Sequence, residues 1–72
     1  MKLKHVRIYS NVTAETAEYI INDFLQNSEG TDIGVNFELM IENTISIAGS
    51  YDTRYTLIVH EYDITEGYDA GD

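Results

Sequence analysis

The chain has 72 residues with no cysteine, proline or tryptophan, and thirteen acidic against four basic side chains give a net charge of −9. So short a chain forms one domain and buries only about 60% of its unfolded surface; disulfide staples are excluded, and two histidines, His5 and His60, are too few for a structural zinc. Its charge repels phosphates, which nucleic-acid binders must neutralise with Lys and Arg, so direct DNA or RNA binding is not expected.

Residues 2–9 alternate as a strand, with Val6 and Ile8 on one face and Leu3, His5, Arg7 and Tyr9 on the other. Residues 10–13 form a turn in which Thr13, or Asn11, caps a helix with Glu15 and Glu18 near the positive end of its dipole. The helix spans residues 14–26. Ala14, Ala17, Ile20 or Ile21, Phe24 and Leu25 make its apolar stripe, Glu15, Glu18, Asn22, Asp23 and Gln26 face outward, and Gly30 stops it. Tyr19 is assigned to the core side or its rim.

Residues 32–41 alternate with Ile33, Val35, Phe37, Leu39 and Ile41 on one face, the pattern of a half-buried strand. Ile45 and Ile47 continue the odd-numbered phase. Either a hairpin turns at Asn43, or the strand runs on through a bulge and turns near Ser50. The run Ala48-Gly49-Ser50-Tyr51-Asp52 is the stronger turn signal and favours the long hairpin. Residues 54–64 form the last strand, with Tyr55, Leu57 and Val59 on one face and Thr56, Ile58, His60 and Tyr62 on the other. Apolar groups on both faces suit a central position or a covered second face. The domain is expected over residues 1–64, and 65–72 read as a frayed acidic tail.

The expected fold class is thus α+β, in the order β-α-β-β, with one helix packed on one face of a three-stranded mixed sheet. The first strand, helix and second strand make a right-handed parallel unit, and the last strand closes the hairpin. A single helix covers a single face, so Met40, Ile58 and Tyr62 lie on an open one, and a homodimer or partner is expected there. The basic first strand can pair across the sheet with Glu38, Glu61 or Asp63, worth a few tenths of a kcal/mol each.

A short basic-apolar strand, a helix ending Ile21-Asn22-Asp23-Phe24-Leu25, Asp32-Ile33 opening a strand, and Tyr55-Thr56-Leu57-Ile58-Val59 before an acidic end make a recognisable sequence of features. Over residues 3–62 the chain resembles the small acidic sporulation-controlled proteins of Bacillus and related proteins of Gram-positive phages. Residues 42–53 depart from that pattern as an expanded stretch. The resemblance implies a bacterial or phage cytoplasmic origin and carries no catalytic residues.

Chemistry finds few footholds. No nucleophile-base pair is evident around His5 or His60, and Gly30, Gly34 and Gly49 follow no phosphate-loop spacing. Asp63, Glu66 and Asp69 lack the calcium-loop pattern. No catalytic residue, metal or cofactor is expected, and the chain reads as a non-enzyme. No stretch approaches the ~20 apolar residues of a membrane span. Met1-Lys2-Leu3-Lys4 leads into no signal core, so a cytoplasmic location is expected.

Two features point to binding. From Asn11 onward Arg54 alone stands against all thirteen acids, a balance of −12, and six tyrosines are many for this length. Carboxylates on a rigid scaffold can imitate a phosphate ladder, although acidity serves solubility equally well. The partner-binding candidates are Glu38, Glu42, Tyr51, Asp52, Glu61, Tyr62, Asp63, Glu66 and Tyr68, with Met40, Ile58 and Tyr62 on the open or dimer face. The expected function is a phage-derived interaction protein that inhibits a host nucleic-acid-handling or defence protein. A structural or accessory homodimer of sporulation type is the alternative, and a small-molecule-sequestering protein the third.

Overall fold

In the computed structural model, which describes residues 2–64, the elements are β1 (Lys2–Val12), α1 (Ala14–Ser28), β2 (Ile33–Ile47) and β3 (Ser50–Asp63). The strands form one sheet in the order β1-β3-β2, with both neighbouring pairs antiparallel. One helix on this sheet makes an α+β fold. The expected mixed sheet is therefore corrected. β1 and β2 run in the same direction, but β3 lies between them and takes the backbone hydrogen bonds of both. The reason is local: a two-residue hairpin fixes β3 beside β2, and a strand apolar on both faces suits the centre. The tail, residues 65–72, lies outside the described residues.

The hairpin turns on Ala48-Gly49, since Ile47 pairs with Ser50. Both turn residues have positive φ, 51° and 83°, the geometry that two-residue loops need to match strand twist. β2 reaches this turn through a bulge. Its register with β3 shifts between Ile41 and Asn43, leaving Glu42 as the extra residue.

Because side chains alternate with period two, each one-residue bulge reverses the phase beyond it. Ile33, Val35, Phe37, Leu39 and Ile41 share a face with Tyr55, Leu57, Val59 and Glu61. Past Glu42, Ile45 and Ile47 pair with Asp52 and Ser50 and point to the opposite side. The expectation that they keep the odd-numbered phase is thus overturned. A second shift, between Leu3 and His5, moves Leu3 onto the face of Val6 and Ile8, again unlike the simple alternation. A third, between Tyr9 and Val12, carries β1 through the expected turn, with Asn11 at φ 58°.

Thr13 caps the helix, its Oγ1 accepting from the Thr16 N–H at 3.1 Å. At the other end Gly30 takes φ 77°. The Thr31 hydroxyl donates to the Ser28 carbonyl at 2.6 Å and accepts from the Ile33 N–H at 3.1 Å, joining the helix end to β2. The helix packs on the Leu57/Val59 face. Among the described residues Ala17, Leu57 and Val59 are the fully buried apolar ones, with Tyr9, Val12, Ile20, Ile21, Phe24 and Phe37 packed around them. The Phe24 and Phe37 rings meet edge to face at 6.5 Å, a preferred aromatic geometry. Two members of the expected stripe fall outside this core: Ala14 is exposed and Leu25 is 49% exposed.

The domain is long and thin, 59 × 19 × 12 Å. The last β1 pair is Val12 with Tyr55, so beyond it β2 and β3 continue alone as a two-stranded arm.

Candidate functional site: an acidic helix layer and an open sheet face

The helix divides the surface in two. Its core-facing residues, Ala17, Ile20, Ile21 and Phe24, recur at three- and four-residue spacing, which sends residues half a turn away directly outward. Tyr19 is one of these. Its side chain is 73% exposed, with Glu15 and Asp23 one turn to either side and Glu18 beside it, all exposed. Residues 15 and 19, like 19 and 23, are i,i+4 neighbours on a helix surface. Glu29 and Asp32 extend the acidic run at the helix end, and no Lys or Arg occurs between Arg7 and Arg54. Tyr19 is therefore an outward residue at the centre of an acidic array, contrary to its assignment to the core or rim. The signal was present in the sequence, because the stripe through Ala17, Ile21 and Phe24 already puts position 19 opposite it.

Among the described residues no helix packs on the opposite face of the sheet. Leu3, Val6 and Ile8 of β1, Ile58, His60 and Tyr62 of β3, and Met40, Ile45 and Ile47 of β2 share it by register. Met40, Ile58 and Tyr62 thus stand together on this uncovered face. Tyr62 stacks with His60 at 6.4 Å.

The partner-binding candidates do not form one patch. Glu38 and Tyr62 lie on the open face. Glu61 and Asp63 lie on the helix side at one end of β3. Glu61 accepts from Arg7 Nε at 3.0 Å and has His5 Nδ1 at 3.8 Å, and Asp63 is the register partner of Lys2 and Ile33. Glu42, Tyr51 and Asp52 lie toward the arm. Tyr51 is 78% exposed, whereas Asp52 takes two 3.2 Å hydrogen bonds from the Arg54 guanidinium. Arg54 Nη1 also donates to the Asn11 carbonyl at 3.4 Å. Glu66 and Tyr68 lie outside the described residues.

Glu42 has a role the residue pattern did not reveal. Its Oε1 accepts from Thr56 Oγ1 at 2.6 Å and from the Asn11 N–H at 2.9 Å. These bonds favour the ionised form and hold its carboxyl below the ordinary glutamate value.

His5 pairs in register with Glu61 and His60 with Val6, on opposite faces of the sheet, so the two imidazoles do not converge on one centre. Among the described residues no group of three His, Asp or Glu is arranged to hold a metal. A cleft of about 210 Å³ opens under the helix C-terminus between Asp23, Asn27, Thr31, Val35 and Glu61. Among the described residues no helix is long and apolar enough to cross a membrane.

Comparison of the chain with protein-family models, with curated proteins and with solved structures finds no match.

Proposed function

We propose that the chain is a non-enzymatic interaction protein that binds a basic protein surface through its helix layer. The carrying observation is the exposed Tyr19 within Glu15, Glu18 and Asp23, on a helix with no cation of its own. Uncompensated carboxylates on one face raise the encounter rate with a positive partner. An exposed tyrosine among them supplies the contact area that interface anchors need. Surfaces rich in Lys and Arg are those that grip nucleic-acid backbones, so the class of partner is a nucleic-acid-handling or defence protein, which the bound chain inhibits. A phage or mobile element of a Gram-positive bacterium, acting in the host cytoplasm, is the source we favour, on the resemblance of residues 3–62 alone.

The test is capture from a Gram-positive lysate with immobilised chain, comparing wild type with an E15Q/E18Q/Y19A/D23N variant. A basic protein retained by the wild type at low salt, released at raised salt and missed by the variant supports the reading. The captured protein must also lose its grip on nucleic acid when the chain is added. Equal capture by both forms, or retention of no basic protein, refutes it.

A further inference from the structure

We propose that the open sheet face is the contact between two copies of this chain, packed sheet against sheet with the acidic helices outermost. The inference is independent of the function proposed for the helix layer. Its starting point is the difference between the two sides of the sheet: the helix side fully buries three apolar residues and leaves Leu39 and Ile41 exposed, while Leu3, Val6, Ile8, Met40, Ile45 and Ile47 on the other side are all exposed, Ile8 to 64%. Solvent-facing apolar surface on this scale marks an interaction site.

Size and charge select the occupant. The long and middle extents, 59 and 19 Å, bound the face at about 1,100 Å², against roughly 800 Å² per partner in a stable interface. Among its apolar residues Val6, Ile8, Ile58 and Tyr62 stands one carboxylate, Glu38 beside Ile58, and the charges toward the arm are internally matched: Asp52 by Arg54, and Glu42 by two hydrogen-bond donors. A basic partner finds a single carboxylate, Glu38, in a face that is otherwise apolar or already matched. A second copy finds an equally apolar surface, and two-fold symmetry sets like against like.

Net charge does not forbid the pairing in this orientation alone. Stacked sheets lie about 10 Å apart, and a further layer on each side carries the two helices. The two acidic arrays are then separated by well over two Debye lengths of ~8 Å at physiological salt. Helix-to-helix or helix-to-sheet pairing would instead bring one array directly against the other copy.

The absence of cysteine makes the test clean. Sedimentation of the full chain across the micromolar range should return a dimer. Val6→Cys should form an intermolecular disulfide on mild oxidation, whereas Gln26→Cys on the outward helix face should not. Ile8→Lys should sediment as a monomer while keeping its far-ultraviolet circular dichroism, and should the variant lose its fold, the cysteine pair carries the decision. A wild-type monomer throughout, or a dimer in which Val6→Cys fails to cross-link, overturns the proposal; the second outcome is that of pairing along the β2 edge.

Discussion

Glu42, the residue that breaks the register of β2, accepts a 2.6 Å hydrogen bond from Thr56 on β3. The same oxygen accepts from the Asn11 N–H of β1 at 2.9 Å, so one side chain ties all three strands at the point where the bulges of β1 and β2 flank β3. The bulge on one edge is thus matched to the bulge on the other.

This clasp predicts a pH signature. The bond from Thr56, and then that from Asn11, holds the Glu42 carboxyl below the usual 4.5. A group whose folded pKa is depressed adds stability that is complete above its unfolded pKa and lost as pH falls through the folded value. Glu42→Gln should therefore unfold at a lower temperature than wild type at neutral pH, with the gap closing below about pH 4.5. Thermal melts followed by circular dichroism at several pH values read this directly. A gap that stays constant into the acid range would show that the charge is not what matters.

The turn offers a gain in stability. Ala48 sits at φ 51°, where an L residue with a Cβ is strained by roughly 1 kcal/mol and asparagine is better tolerated. Ala48→Asn should stabilise the hairpin by about 0.5–1 kcal/mol. Gly49 has φ 83°, and a methyl group added there would meet no atom within 4 Å, so Gly49→Ala should cost about 1 kcal/mol through backbone strain alone. Urea titration of both variants decides the matter; opposite signs are required.

The core is thin enough for one side chain to control it. Leu57 is completely buried, and Leu57→Ala should cost about 2–5 kcal/mol, a large part of what a domain this small possesses. Leu25→Ala, at a half-exposed position, should cost well under 1.5 kcal/mol. Comparable losses at the two sites in denaturant titration would contradict the packing described.

Several parts of this arrangement are legible in the sequence alone, and the others fail for identifiable reasons. Thr13 and Gly30 bracket the helix, and the run from Ala48 to Asp52 contains the turn that the structure places at Ala48-Gly49, because capping and turn chemistry are local. The two-faced apolarity of residues 54–64 points to the central strand that β3 becomes. Strand order beyond that is not a local property, and the helix between β1 and β2 suggested direct parallel pairing where β3 intervenes. Bulges are equally silent. Nothing in the alternation of Ile41, Ile45 and Ile47 shows that Glu42 is left over, yet that one residue transfers two isoleucines to the open face. At the acidic surface, sequence separated the tyrosines by proximity to turns and tail, whereas helical phase alone would have singled out Tyr19.

The pair Arg7 and Glu61 tests how the basic first strand is used. Arg7 Nε lies 3.0 Å from Glu61 Oε1, and the guanidinium carbon sits 5.9 Å from the centre of the Phe24 ring. The Arg7 side chain is about half exposed, so solvent screening limits the ion pair itself to about 0.2–1 kcal/mol. A double-mutant cycle with Arg7→Met and Glu61→Gln should return a coupling in that range that shrinks with added salt. Arg7→Lys keeps the charge but loses the flat guanidinium against Phe24. It should therefore remain less stable than wild type in high salt, where the ion pair is screened. Full recovery of stability by lysine would assign the whole effect to charge and none to the aromatic contact.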